Sequence, residues 1–188
     1  MRLFLAITLP DPLKHAIYTA TEPLRNAAPA IRWVASEQLH ITLKFLGDVP
    51  EDGLPPIQSV LTRVASASAA FRMEIGGIGA FPNLRRPRVV WVGVTESGVL
   101  TQLQEQLETA IAPLGFPREA RPFHPHLTLG RVSPEVPAEQ LRSSERAASG
   151  IEYKDTMLVG SAELMLSRLS PKGARYEVLS SAPLKGGS

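Results

Sequence analysis

The stretch Leu39-His40-Ile41-Thr42-Leu43-Lys44-Phe45-Leu46 alternates apolar and polar residues with a period of two. Successive side chains of a β-strand point to opposite faces, so this period predicts a strand with one buried side. On this reading Leu39, Ile41, Leu43 and Phe45 face a core, while His40, Thr42 and Lys44 share the other face. Gly47-Asp48 ends the strand. About half a chain later, His126-Leu127-Thr128-Leu129 repeats the His-x-Thr-Leu tetrad within a predicted strand over 126–132. Here His126 and Thr128 point one way and Leu127 and Leu129 the other. Two of the four histidines in the chain open the same pattern.

Working outward, residues 2–8 form an apolar run that reads as a strand buried on both faces. Asp11-Pro12 supplies an N-cap and a proline for the first turn of a helix over 11–27, which Pro29 closes. Asp52 can cap a second helix with Leu54, Ile57, Leu61 and Val64 on its apolar stripe. Strands are expected near 70–78 and 88–95, with Gly76-Gly77, Gly79, Pro82 and Pro87 breaking the chain into a loop between them. A third helix over 97–113 carries Leu100, Leu103, Leu107 and Ile111 on one face, and Gly115 stops it. The Ser- and Pro-rich piece 134–149 reads as a helix. Strands follow near 152–160, 162–169 and 174–181, the last two joined by a turn through Pro171-Lys172-Gly173. Strands and helices first, then a run of strands, predict an α+β fold with mainly antiparallel sheet. We expect one domain over 1–185 and a flexible tail over 186–188.

The chain has 188 residues, 44% hydrophobic and 20% charged, enough for one core without cross-links. It has no cysteine, which removes disulfides, thiolate metal sites and cysteine nucleophiles and fits a cytoplasmic location. No apolar run approaches the ~20 residues of a membrane span. The net charge of +2 tolerates a polyanionic partner without demanding one. Arg85-Arg86-Pro87-Arg88 and the pair Arg118 and Arg121 are local basic clusters. Nothing in the sequence demands more than a monomer.

The tetrads carry the chemistry. An imidazole gives or takes a proton near neutral pH, and a hydroxyl two residues away, about 6.6 Å along the strand, can donate to an anionic oxygen. Two such pairs facing each other would clamp one phosphate, one histidine deprotonating water and the other protonating the departing oxygen. Spacing alone leaves the two roles interchangeable. His15 falls on the first helix and carries no role. His124 reads as a pocket-rim residue set by Pro122 and Pro125. A metal site on His124 and His126 lacks a third ligand nearby, and we expect no metal or cofactor. Walker, Rossmann and Gly-x-Ser-x-Gly signatures are absent.

The chain resembles the 2H phosphoesterases, specifically the bacterial and archaeal RNA 2′,3′-cyclic phosphodiesterases once called 2′-5′ RNA ligases. The resemblance is carried by Arg2-Leu3-Phe4-Leu5-Ala6-Ile7, by His40 to Gly47, by Val90-Trp91-Val92-Gly93, by Phe123 to Arg131, and by Gly173 to Leu179 with Pro183-Leu184. It implies a two-lobed, pseudo-symmetric α+β fold of antiparallel sheets backed by helices, with the tetrads in a central cleft. It also implies metal-independent opening of a 2′,3′-cyclic phosphate end of RNA to a 2′-phosphate. By this likeness His40 is the proton donor and His126 the proton acceptor, and Thr42, Thr128 and Arg131 bind the phosphate. Ligation through a 2′-5′ bond and RNA binding with little turnover are the alternatives. Gly130 and His124 depart from the family pattern and leave the pocket's shape and charge open.

Overall fold

A computed structural model describes residues 1–96, 98–170 and 173–187. Pro171 and Lys172 of the expected turn, Ser97 at the expected start of the third helix, and Ser188 of the expected tail lie outside the described residues.

The elements are β1 (Arg2–Thr8), α1 (Asp11–Ala20), α2 (Glu22–Ala27), β2 (Arg32–Trp33), β3 (His40–Asp48), α3 (Leu54–Ala67), β4 (Phe71–Phe81), β5 (Val89–Glu96), α4 (Val99–Ile111), β6 (His126–Arg131), α5 (Ala138–Ser149), β7 (Lys154–Val159), β8 (Ser161–Ser170) and β9 (Gly173–Pro183). The expected first helix is thus two. Pro23 has no N–H to give to the Thr19 carbonyl and its ring crowds that carbonyl, so the chain breaks at Thr21 and restarts at Glu22 with the proline in the first turn. Strand β4 is longer than the glycines suggest: Gly76 and Gly77 form a bulge opposite β5, with Gly77 at φ 75°, and pairing resumes to Phe81. Lys185 is also held, its N–H donating to the Ser68 carbonyl and its own carbonyl accepting from the Ala70 N–H.

Among the described residues the strands join in the order β7-β4-β5-β6-β3-β1-β8-β9, with β2 on β6, and all paired strands run antiparallel. This is two four-stranded halves meeting edge to edge. Their junction is one residue pair, Ile41 of β3 against Leu127 of β6. Helix α3 packs on α4, β8 and β9, and α4 on β3, whereas α5 packs on α2 and β4. Each half therefore has its own helical backing over a continuous core. In β1, Leu3, Leu5 and Ile7 enter that core, while Phe4 and Ala6 meet Met165 in a smaller cluster on the opposite face. That accounts for the solidly apolar run of the first strand.

The junction also sets the register. Ile41 and Leu127 are fully buried, each stabilising by about 2 kcal/mol over an exposed position. A slip of one residue would put them in the cleft and drive the histidines into the core.

Candidate active site

In an antiparallel pair with Ile41 opposite Leu127, His40 lies across from Thr128 and Thr42 across from His126. The tetrads therefore cross at their middle residues. All four polar side chains fall on the face away from the core, and each is half-buried. Because hydrogen-bonded pairing is confined to that one residue pair, the strands diverge on either side of it and leave room between the tetrads.

The two imidazoles are held in the same way. His40 Nδ1 lies 2.7 Å from the Gln38 carbonyl, and His126 Nδ1 lies 2.7 Å from the His124 carbonyl. A carbonyl oxygen only accepts, so Nδ1 carries the proton in both rings and Nε2 is left to exchange protons in the cleft. His40 Nε2 is 3.0 Å from Thr42 Oγ1, whose hydroxyl donates to the neutral ring. Aromatic rings buttress each imidazole. Phe4 and Tyr176 lie 5.0 Å from His40, the latter edge-on. Phe81 lies 5.0 Å and Trp91 6.4 Å from His126.

Burial pushes the His40 imidazole below its ordinary value; the bond to Gln38 opposes this, and the positive charges of Arg131, Lys14 and His126 add to it. His126 is pushed down by burial first, with its bond to the His124 carbonyl opposing and His124 and Arg131 adding to the shift. Both rings are thus biased to the neutral form until an anion arrives.

Beyond each threonine the strand is irregular, and here the sequence reading is corrected. Ala6 pairs with Thr42 but Leu5 with Lys44, so Leu43 is an extra residue. Likewise Trp91 pairs with Thr128 but Val90 with Gly130, so Leu129 is extra. A bulge reverses the alternation that follows it. Lys44, expected beside His40 and Thr42, is buried instead, and Phe45, expected in the core, is 68% exposed. By the same shift Arg131, three residues past Thr128, comes onto the cleft face and not the opposite one. Gly130 then sits beneath Trp33, where a Cβ would come within 2.7 Å of the indole.

Two cavities flank the crossing and share Thr42 and Phe45. One, of about 560 Å³, holds His40 and Thr128 with Arg2, Arg32 and Arg131 and has no carboxylate among its described lining residues. The other, of about 720 Å³, holds His126 and is walled by Phe81, Phe116, Phe123 and His124, with Arg121 at its side. His124 therefore lies at the pocket, its ring tilted 5.4 Å from Trp91 and edge-on 5.2 Å from Phe81. Among the described residues His15 bonds the Asp11 carbonyl of its own helix. Among the described residues no three His, Cys, Asp or Glu side chains cluster as a metal site, and no helix is long and apolar enough to cross a membrane.

The sequence model of the 2′-5′ RNA ligase superfamily matches residues 9–154. The chain belongs to that superfamily. Relatives in it carry the name RNA 2′,3′-cyclic phosphodiesterase. One from Archaeoglobus fulgidus is 37% identical over 95% of this chain and 98% of its own length. One from Geobacillus stearothermophilus is 34% identical over 97% of this chain, which spans 57% of that longer protein. The superfamily fold recurs in a crystal structure from Thermus thermophilus, at 32% identity and a TM-score of 0.81 with 98% of both chains covered. It recurs in E. coli LigT complexed with 3′-AMP, at 28% identity and a TM-score of 0.75 with 97% of both covered.

Sequence reasoning missed the roles of Phe4, Phe45, Phe81 and Gln38. Gln38 offers its carbonyl to His40, and its side-chain amide donates to the Ala174 carbonyl of β9. The phenylalanines sit in apolar stretches where nothing local separates a cleft wall from a core residue.

Proposed function

We propose that this superfamily member hydrolyses 2′,3′-cyclic phosphate ends of RNA to 2′-phosphates by acid–base catalysis. The observation that carries the reading is the crossing at Ile41 and Leu127, which turns two distant tetrads into one set of two imidazoles and two hydroxyls. Water attacks phosphorus and gives its proton to His126 Nε2. The bond from phosphorus to the 3′ oxygen breaks, and that oxygen takes a proton from His40 Nε2. Thr42 and Thr128 donate to the non-bridging oxygens, and Arg131 neutralises the charge gathering on them. In-line displacement needs the attacking and departing oxygens on opposite sides, which the crossed tetrads provide. The three arginines of the His40 cavity suit the phosphates of the upstream RNA. This assigns the acid to the side where the ribose sits.

The working unit in this reading is the two-lobed domain of residues 1–185, a monomer in a cytoplasm compatible with its lack of cysteine. No step needs a metal. The test is an assay on an oligonucleotide 2′,3′-cyclic phosphate in excess chelator with identification of the product. The expected product is the 2′-phosphate at an undiminished rate. A 3′-phosphate, or activity abolished by chelator and restored by a divalent ion, contradicts the reading.

A further inference from the structure

The bulge after Thr42 turns a lysine into the protein, and what it meets is unexpected for a core. Lys44 and Glu108 of α4 are both more than nine-tenths buried, with Nζ 2.7 Å from Oε2. Neither group ends at the other. Lys44 Nζ also donates to the Pro117 carbonyl at 2.9 Å. Glu108 Oε2 accepts from the Glu119 backbone N–H at 3.1 Å. Glu108 Oε1 accepts from the Gln104 amide at 3.3 Å, and that amide donates to the carbonyl of Leu43, the bulge residue itself. One buried ion pair thus grips the strand just past Thr42 and the irregular segment that starts after Gly115. That segment walls the His126 cavity with Phe116 and Phe123 and ends at His124, whose carbonyl fixes His126 Nδ1. At the matching place in the second tetrad, Gly130 leaves no counterpart, so the device exists in one half only.

We infer that Lys44 and Glu108 are positioning residues that tie the first tetrad to the segment carrying the wall and the orienting carbonyl of the second. This rests on the catalytic reading of His126. An ion pair is a poor way to fill a core, since apolar residues of similar volume do so at no loss of stability. What such residues cannot do is hold the backbone of Pro117 and Glu119. The pair therefore acts on the segment 116–124 beyond its share in the core.

The test compares the double variant Lys44→Met/Glu108→Leu with Glu119→Pro, which deletes one anchoring N–H at an exposed position and leaves the pair intact. Two readouts are taken on folded protein. The first is chymotryptic cleavage after Phe123, which His124 follows and neither variant alters, and which needs no substrate. The second is kcat/KM on a cyclic phosphate. The expected result is faster cleavage in both variants at a Tm near that of the parent. A loss in kcat/KM of about tenfold or more should accompany it in the double variant, in keeping with the cost of small misplacements. The smaller loss is expected in Glu119→Pro. If the double variant does not fold, Glu119→Pro alone decides. Parental cleavage rates in the folded variants overturn the inference, as does faster cleavage with kcat/KM unchanged. If the parent itself opens no cyclic phosphate, the catalytic reading has failed, and the cleavage rates still report whether the pair anchors the segment.

Discussion

Each imidazole owes its poise to three local causes: a carbonyl on Nδ1, partial burial, and a neighbouring guanidinium. Burial and Arg131 depress both pKa values in the free protein, so both limbs of the kcat/KM profile belong on the acidic side of 6.5. A bound phosphate favours the imidazolium, so the kcat profile should lie at higher pH than the kcat/KM profile. Steady-state rates across pH check this, and two profiles centred above neutrality contradict it. Arg131 can donate two parallel bonds to a phosphate, which lysine cannot. Arg131→Ala should lower kcat/KM by about ten- to a hundredfold, the usual worth of a hydrogen bond to a charged group. Arg131→Lys should recover only part of that.

At the scale of the element, bulges decide what the cleft contains. The strands, their histidine faces and the buried Ile41 and Leu127 follow from the period-two pattern. The bulges at Leu43 and Leu129 do not, because nothing in Leu-Lys or Leu-Gly announces an extra residue. Their effect is large: Lys44 and Phe45 exchange sides, and Arg131 reaches the site at a spacing that a regular strand forbids. The family resemblance marked Arg131 as a phosphate-binding residue; the bulge is what brings it to the cleft face. The break at Thr21 was legible in Pro23, whereas the run of β4 through two glycines was not, since pairing with β5 outweighs local preference. Gly79 shows how tightly a strand supports the site. A Cβ there would come within 2.1 Å of Trp91, the ring that packs by His126 and His124. Gly79→Ala should cost about 1–3 kcal/mol by overpacking, read as a lower Tm. It should also reduce activity, because a displaced indole disturbs the rings of His124 and His126 packed beside it. A variant with unchanged Tm and rate would show that the strand relaxes instead.

Over the whole molecule, two backed half-sheets meet at one pair of residues, and the site is the place where they meet. Neither half holds a complete set of groups. The design also carries a pH signature. Both histidines have pKa values lowered on folding, so the unfolded chain binds their protons more readily. Stability from these groups is fully present above about 6.5, the value of the unfolded chain. It is lost as pH falls through that value toward the folded ones. Tm should therefore decline from about pH 7.5 to pH 5.5, and the decline should be shallower in His40→Gln. Equal slopes would place the responsible groups elsewhere. In the proposed reaction one imidazole from each half works on one phosphate, His40 giving a proton and His126 taking one. A cyclic substrate with sulfur in place of the 3′ oxygen tests it, because a thiolate departs without a proton. On the oxygen substrate His40→Ala and His126→Ala should each lose about a hundredfold or more. On the sulfur substrate His40→Ala should return close to the parental rate while His126→Ala stays impaired. Rescue of His126→Ala instead, or of neither variant, contradicts the assignment.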